Sequence, residues 1–176
     1  ILNGRWHSGI TPDTYGQLKI EEMLIKTSNM NKDSRVLDFG SGNGVVTCDY
    51  HILTGAKIVG ITNKKSQVAT SNKLARSLKI DNYVKFIYCD DISTLNLGKF
   101  DIIVFTESIC HIQNKDNIFR LLSLHLKKNG KIVGEDWITL NKESTKKIDS
   151  SYGTHLSTPK EYYKHLYRYY KNIKFD

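Results

Sequence analysis

The feature that most constrains the fold of this chain is a short apolar run that ends in an acid and passes at once into alternating glycines. It spans residues 35–44 and reads RVLDFGSGNG, with the acid at Asp38 and glycines at Gly40, Gly42 and Gly44. Glycines at this spacing allow a tight turn, let a ligand lie against bare backbone and let the next helix pack closely. The segment therefore predicts a buried strand, a nucleoside-binding turn and a helix.

The acid at position 38 limits the class of ligand that this turn can bind. The pattern is Asp-x-Gly-x-Gly-x-Gly, whereas the pyrophosphate-binding fingerprint is Gly-x-Gly-x-x-Gly at a helix N-terminus. A carboxylate beside the turn repels a diphosphate and suits a cationic amino-acid group. The motif resembles motif I of the class I S-adenosylmethionine-dependent methyltransferases. The resemblance implies that the methionine portion of S-adenosylmethionine is held by Asp38, Gly40, Ser41, Gly42 and Gly44.

A second strand is predicted over residues 57–62 and a helix over 64–79, which completes a βαβ unit. In most nucleotide-binding sheets an acid at the end of the second strand binds the ribose hydroxyls. Here Thr62 and Asn63 stand at that place, with Gln67 one helical turn later. This combination resembles the branch of sterol, tocopherol and cyclopropane-type C-methyltransferases, and it implies that these three side chains bind the ribose.

A third strand is predicted over residues 84–89, followed by Asp90, Asp91 and Ile92. The resembled family uses an acid here to accept a hydrogen bond from the adenine amino group. The resemblance therefore assigns adenine binding to Asp90 together with the backbone of Asp91 and Ile92.

The fourth strand, from residue 100, runs into Thr106, Glu107 and His111. The Glu-Ser-x-Cys-His order resembles the Glu-Ala-x-Cys-His of sterol methyltransferases, and the resemblance covers roughly residues 35–137. It implies methyl transfer from S-adenosylmethionine, which leaves S-adenosylhomocysteine, with Thr106 contacting the cofactor and Glu107 and His111 nearest the methyl group. The cyclopropane branch has a carboxylate directly before the histidine; Cys110 stands there instead, so its bicarbonate-type base is not expected.

Two catalytic interpretations of this strand end stay open. Methyl transfer relies mainly on alignment of donor and acceptor, which accounts for roughly 7–11 kcal/mol of the barrier. Glu107 fits carbon methylation, because a carboxylate stabilises the carbocation and its proton loss. His111 fits oxygen or nitrogen methylation as a base. Both side chains also have a structural alternative, in which Glu107 bonds to the turn backbone and His111 caps the following helix.

The alternation of strands and helices predicts one α/β domain with a Rossmann-like, doubly wound, mostly parallel sheet and helices on both faces. We expect an N-terminal helical lid at 1–33, a cofactor-binding core at 34–140 and an acceptor side at 141–176. The lid helix, from about residue 12 to 27, is predicted to bury Leu18, Ile20, Met23 and Leu24. The predicted acceptor-lining residues of this segment are Trp6, His7 and Tyr15, with aromatic packing at the domain edge as the alternative.

The second half of the chain is less regular. We expect a helix over 114–128 that stops at Asn129-Gly130, then a fifth strand over 131–138 that brings Glu135, Asp136 and the acceptor-binding Trp137 to the rim. Residues 141–160 read as a mobile connection. A helix starts at Pro159 and carries tyrosines as far as Tyr170, and residues 171–176 resemble the start of a sixth strand, so the C-terminal part of the sheet looks incomplete.

Composition and the missing targeting patterns predict a soluble protein of the cytoplasm. No apolar run approaches the roughly 20 residues that span a bilayer, and the N-terminus lacks a signal-peptide pattern. The net charge is +8, but lysine supplies 21 of the 26 basic residues and is interspersed with acids, which is typical of solvated faces. A nucleic-acid methyltransferase is disfavoured, because the Asn/Asp-Pro-Pro-Tyr/Phe motif is absent and the only prolines are Pro12 and Pro159.

Three cysteines, at positions 48, 89 and 110, show no Cys-x-x-Cys spacing. Neither a disulfide framework nor a zinc site is expected, and we predict no metal. The predicted partner is a small-molecule acceptor rather than nucleic acid, and the sequence leaves the oligomeric state open. A non-catalytic module that binds S-adenosylmethionine is the remaining alternative to an enzyme.

Overall fold

A computed structural model describes residues 12–143 and 145–174, with the backbone alone for residues 12–15. The strands are β1 Arg35–Phe39, β2 Lys57–Thr62, β3 Val84–Tyr88, β4 Phe100–Thr106 and β5 Leu126–Glu135. The helices are α1 Pro12–Ser28, α2 Val45–Thr54, α3 Lys65–Ser77, α4 Lys115–Leu124, α5 Lys146–Tyr152 and α6 Pro159–Tyr167.

The five strands form one sheet in the order β3-β2-β1-β4-β5, and every pairing between neighbours is parallel. Parallel pairing brings all carboxyl ends to one edge. The chain order reverses between β1 and β4, and ligands of doubly wound sheets bind in the crevice outside such a switch point. The predicted Rossmann-like fold is confirmed.

Helices cover both faces of the sheet. On one face, Leu24 of α1 and Tyr50 of α2 pack against side chains of β1, β2 and β4. On the other, Phe119 of α4 and Tyr162 of α6 join the core beneath β4, where the Phe119 ring meets Phe105 and Tyr162 edge to face at 6.3 and 5.5 Å. Successive side chains of a strand point to opposite faces of the sheet, so they enter two separate hydrophobic layers.

Helix α1 matches its predicted bounds, but one buried position was wrong. Leu18 and Leu24 are buried, whereas Met23 is exposed and the acid Glu21 is buried in its place. The carboxyl end of α1 is held to β5, because Lys131 Nζ donates to Thr27 O at 3.2 Å. No helix in the described part of the chain has the length and apolar character to cross a membrane.

The predicted helix stop at Asn129-Gly130 is wrong. Helix α4 ends at Leu124 and β5 begins at Leu126, because the Phe100 amide already donates to His125 O at 2.8 Å. The β4–β5 register then shifts between Phe100 and Ile102. Gly130 lies in this bulge, where an added Cβ would come within 2.9 Å of Asp101 O. The glycine serves a close backbone approach within the sheet rather than a helix end.

The C-terminal part is more ordered than its sequence predicts. Residues 141–160 contain α5, and Ile138 forms a parallel bridge with Ser157. Helix α6 begins with Pro159 and a capping box between Thr158 and Glu161; it ends at Tyr167, not at Tyr170. Residues 171–174 are not a strand, and the rest of the predicted sixth strand lies outside the described residues.

Candidate functional site

The turn after β1 is shaped by glycines in the left-handed region. Gly40, Gly42 and Gly44 have φ of 82°, 54° and 79°. The amides of Gly40 and Ser41 both donate to Ile61 O of β2, at 3.0 and 2.9 Å, which fixes the turn against the neighbouring strand. A Cβ on Gly40 would lie 2.3 Å from Ser108 Cβ, whereas a Cβ on Gly42 would meet no atom of the described residues within 4 Å. Open space therefore lies beside the backbone of Gly42.

Gly44 is closely packed against two neighbouring elements. A Cβ there would come within 2.6 Å of the Phe86 ring and 2.7 Å of Ser71 Cβ. The glycine thus makes room for β3 and α3. Ser71 Oγ also donates to Gly42 O at 3.2 Å, so α3 supports the turn directly.

Asp38 lies buried beneath this turn. Its Oδ2 accepts a hydrogen bond from Thr47 Oγ1 of α2 at 2.5 Å. Burial raises the pKa of Asp38 to about 6, and the Thr47 hydrogen bond only partly opposes that shift. A carboxylate held in this way gains stability from a neighbouring cation.

Further acids share this face of the sheet. Glu135 at the end of β5 has one buried carboxylate oxygen, Oε2, with no hydrogen-bond partner among the described residues. Burial, with the charges of Glu107 and Asp136, raises the pKa of Glu135. Burial also raises the pKa of Tyr50, and the charges of Asp38, Glu21 and Glu135 add to the shift. The region beside the turn therefore favours a positively charged ligand.

The end of β2 places its three predicted residues together. Thr62 is buried, and its hydroxyl donates to Gln67 Oε1 at 2.6 Å. The amide N–H groups of Gln67 are thus the part of that side chain that can donate to hydroxyl oxygens. Asn63 is exposed beside it.

The end of β3 separates the roles of its two acids. Asp91 Oδ1 accepts from the Ser93 amide at 2.8 Å and caps a short turn at Ile92–Thr94; hydrogen bonds from the side chain and the amide of Ser93 lower the pKa of Asp91. Asp90 is exposed and accepts from the Tyr88 hydroxyl at 3.1 Å. The Ile92 side chain is buried in the core, so only its backbone faces the crevice edge.

The end of β4 carries a strained residue. Glu107 follows Thr106 with φ of 47°, an uncommon conformation for a residue with a side chain. Its amide donates to Glu135 O at 3.0 Å, while its side chain is exposed at the carboxyl edge. The backbone bond leaves the Glu107 carboxylate beside the crevice of the switch point.

His111 is tied to the segment that follows β5. Its Nδ1 lies 3.1 Å from Gly153 O, and the side chain is exposed. The His155 amide donates to Cys110 O at 2.7 Å. The buried Lys115 donates through Nζ to Ile112 O and His155 O, at 2.7 and 2.8 Å. Sequence reasoning missed Lys115, since nothing in its surroundings along the chain distinguishes it from the surface lysines.

Of the remaining residues that were predicted to line the acceptor site, only Trp137 has a described side chain. Trp6 and His7 lie outside the described residues, and Tyr15 lies in α1 without a described side chain. Trp137 is partly exposed on the rim, with its ring edge to face with Tyr152 at 5.7 Å. Residues 12–143 and 145–174 contain no group of His, Cys, Asp and Glu side chains arranged to hold a metal ion.

Several solved structures are similar in fold to this chain. Geranyl diphosphate C-methyltransferase from Streptomyces coelicolor A3(2), in complex with Mg²⁺, geranyl diphosphate and S-adenosyl-L-homocysteine, superposes with a TM-score of 0.79 at 20% identity, over 87% of this chain and 60% of that one. The [4+2]-cyclase SpnF superposes with a TM-score of 0.76 at 20% identity, over 85% and 57%. These likenesses show the fold.

Sequence relatives point in the same direction. Sterol 24-C-methyltransferase from Pneumocystis carinii is 26% identical over 123 residues, which cover 69% of this chain and 33% of that protein. The chain thus spans about a third of the length of this relative. A family model described as a methyltransferase domain matches residues 30–171, which include the glycine turn, all five strands and the rim. The chain belongs to this methyltransferase domain family.

Proposed function

We propose that the chain binds S-adenosylmethionine at the carboxyl ends of β1 to β4 and transfers its methyl group to a small lipid-like acceptor, by carbon methylation. The observation that carries the proposal is the turn after β1, where left-handed glycines hold the backbone in place and Gly42 leaves open space beside it, next to the buried Asp38. A cationic amino acid fits this site because the raised pKa of Asp38 reflects an uncompensated burial of its charge.

The residues present fit the rest of the cofactor. Asn63 and the N–H groups of Gln67 suit ribose hydroxyls, and Asp90 is an exposed acceptor that suits the adenine amino group. The Asp91 side chain is occupied by the turn that it caps, so we assign it a supporting role. When bound, S-adenosylmethionine supplies an activated methyl group on a cationic sulfur.

Carbon methylation of an alkene develops positive charge on the acceptor. Glu107 follows β4 at the switch point, and Glu135 and Asp136 add negative potential from β5 and the residue after it. Carboxylates that are already in place stabilise such a charge without reorganisation. Glu107, which is exposed, is the group that can also take up the proton that the acceptor loses.

Two groups of known proteins support a lipid-like acceptor. The relatives and structural neighbours include sterol and geranyl diphosphate C-methyltransferases, both of which are named for isoprenoid substrates. The partly exposed Trp137 on the rim suits an apolar acceptor. The acceptor side is thus proposed to lie between Glu107 and Trp137.

One observation favours a second candidate, methylation of oxygen or nitrogen. The His111 Nδ1 atom lies 3.1 Å from Gly153 O, and donation to that carbonyl leaves Nε2 without its proton. Nε2 is then able to deprotonate a heteroatom acceptor. This candidate uses the same cofactor and differs only in the acceptor.

Calorimetry with S-adenosylhomocysteine and NAD tests cofactor binding. We expect the chain to bind S-adenosylhomocysteine and to reject NAD, since Asp38 repels a diphosphate. Asp38→Ala should lose affinity for S-adenosylhomocysteine. Tighter binding of NAD, or full affinity in Asp38→Ala, contradicts the proposal.

A second experiment tests the acceptor. Transfer of a labelled methyl group is measured with a panel of isoprenoid alkenes and a panel of phenols and amines. Carbon methylation predicts turnover with the alkenes alone. Turnover with the heteroatom panel alone supports the His111 candidate, and cofactor binding without any turnover supports a non-catalytic module.

A further inference from the structure

An apolar patch lies exposed on the rim beyond the carboxyl ends of β4 and β5. The rim patch consists of Trp137, Ile138, Leu140, Ile148 and Tyr152. Leu140 is 89% exposed and Tyr152 is 63% exposed. Trp137 contacts Tyr152, and Ile148 and Tyr152 lie four residues apart in α5, so they share a face of that helix. Trp137, Ile148 and Tyr152 are thus neighbours, and Ile138 and Leu140 follow Trp137 directly in the chain; large apolar side chains exposed within one short segment mark an interaction surface.

The backbone that presents these side chains is held in place. The Thr154 hydroxyl and the Leu156 amide both donate to Asp149 Oδ1, at 2.7 and 3.0 Å. The bridge between Ile138 and Ser157 closes the segment at its other end. The rim patch is therefore a fixed surface.

Exposed lysines lie on the same helix as part of the rim patch. Lys146 and Lys147 begin α5 and are exposed, and neither forms an ion pair with another described residue. Asp149, the acid of the same helix, has its carboxylate engaged by Thr154 and Leu156. Lys142 is paired with Glu161 at 2.8 Å. The surface of α5 thus combines apolar side chains with two lysines that are unpaired among the described residues, and its one acid leaves the helix with a net charge of +1.

This combination selects one class of partner. The core of a protein–protein interface is depleted in lysine. A surface that lies on an anionic bilayer instead places aromatic and aliphatic side chains among lysines, which reach the lipid headgroups. The net charge of +8 has the sign that such a bilayer attracts.

We propose that the rim patch docks the protein on an anionic lipid bilayer. The inference rests on the proposed lipid-like acceptor, because docking through Trp137 and α5 turns the crevice beside Glu107 toward the lipid. An acceptor dissolved in the bilayer then reaches the site without crossing water.

Vesicle co-sedimentation tests this docking. The 176-residue chain is mixed with phosphatidylcholine vesicles, with and without phosphatidylserine, in the absence of cofactor. The Leu140→Asp/Ile148→Asp variant should bind the phosphatidylserine vesicles at least about tenfold more weakly, because two apolar side chains are lost. Leu124→Asp is the matched control: Leu124 is 55% exposed at the end of α4, which is remote from the rim, and its replacement should leave binding unchanged.

Charge is tested in the same assay. Lys146→Gln and Lys147→Gln should each weaken binding to phosphatidylserine vesicles by about fivefold, with little effect on phosphatidylcholine vesicles. Lys85→Gln is the control, because Lys85 is exposed on β3, at the opposite edge of the sheet. Circular dichroism and binding of S-adenosylhomocysteine verify that each variant is folded.

Three results overturn the proposal. The first is equal vesicle binding by Leu140→Asp/Ile148→Asp and Leu124→Asp. The second is no vesicle binding by the parent chain while it still binds S-adenosylhomocysteine, which contradicts docking alone and leaves the proposed function standing. The third is a concentration-dependent dimer that Leu140→Asp/Ile148→Asp dissolves, in which case a second copy of the chain covers the rim patch.

Discussion

The two halves of the candidate site are built in different ways. In the cofactor half, the backbone sets the geometry: the turn after β1 depends on left-handed glycines and on two amides that donate to Ile61 O. In the acceptor half, side chains tie distant backbone together, as when Lys115 Nζ reaches His155 O across 40 residues of sequence. A backbone-built pocket suits one constant ligand. A pocket whose lining segments are held together by side-chain contacts can change its shape with few substitutions.

The largest effect is expected at the glycines of the cofactor half. Gly44→Ala should lower the free energy of unfolding by about 3 kcal/mol or more, since it combines left-handed strain with overpacking against Phe86 and Ser71. Gly42→Ala shares the strain but has open space around its Cβ, so it should cost about 1 kcal/mol. Denaturant unfolding of both variants measures the difference.

Gly42→Ala and Gly44→Ala also separate an effect on folding stability from an effect on cofactor binding. The Gly42→Ala methyl group occupies the space proposed for the cofactor, so this variant should lose affinity for S-adenosylhomocysteine while it keeps most of its stability. Calorimetry measures that affinity. Full affinity in Gly42→Ala means that the open space beside the turn is not part of the cofactor site.

The next effect concerns the acceptor half. Glu107→Gln keeps the shape and the strained backbone of Glu107 and removes its charge. Turnover should fall by roughly a hundredfold or more, and affinity for S-adenosylmethionine should stay within about a factor of three. Steady-state kinetics measures turnover, and calorimetry measures affinity. Glu143→Gln is the control, because Glu143 is an exposed glutamate in the segment between β5 and α5. Unchanged turnover in Glu107→Gln removes Glu107 from the mechanism.

A smaller effect is expected from the charge of Asp38. Burial raises the pKa of Asp38 from its ordinary value of 3.8 to about 6 in the folded chain, so the folded chain binds this proton more tightly than the unfolded chain does. Asp38 therefore reduces stability as the pH rises from about 4 to 6, and the reduction persists above that range. Asp38→Asn should be more stable than the parent chain at pH 7 by on the order of 2 kcal/mol, and the difference should vanish below pH about 4.

Asp101→Asn provides a control of opposite sign. Although partial burial acts in the opposite direction, hydrogen bonds from Lys127 and the Arg35 amide lower the pKa of Asp101. Its replacement should therefore destabilise the chain at neutral pH, and this loss should fade in acid. Thermal melting across pH measures both variants. If Asp38→Asn destabilises the chain at pH 7, the charge of Asp38 is already compensated without a ligand.

Most of the fold was predictable because its signals are local. The glycine turn, the apolar runs of β1 to β4 and the capping box of α6 each lie within about ten residues of sequence. The end of α4 was missed because Asn129-Gly130 is a valid helix stop in isolation. What overrides it is the pairing of Leu126 with Phe100, a contact that only the sheet creates.

The acceptor half was less predictable for the same reason. Glu135 was placed at the rim, but its burial beside Tyr50 depends on α1 covering that face of the sheet. The order in residues 141–160 comes from Lys115, Asp149 and the Ile138–Ser157 bridge, whose partners are polar side chains or backbone atoms. Hydrophobic periodicity carries no information about such contacts.

The smallest effect is expected at His111, and it decides between the two candidate chemistries. In the carbon-methylation proposal His111 is a positioning residue, which holds the Gly153 carbonyl. His111→Ala should lower the free energy of unfolding by about 1 kcal/mol, the value of one hydrogen bond. The loosening should be local, with faster hydrogen exchange at the amides of Thr154 and His155.

Turnover is the decisive measurement for the same variant. His111→Ala should keep its methylation rate within about fivefold, because a lost positioning contact costs far less than a lost general base. The pH profile of turnover should also keep its shape. If His111→Ala abolishes methyl transfer while Glu107→Gln leaves it intact, the acceptor is an oxygen or nitrogen atom that His111 deprotonates. The acceptor half would then act through the residue that also ties its wall in place, and the two halves of the site would differ in chemistry as well as in construction.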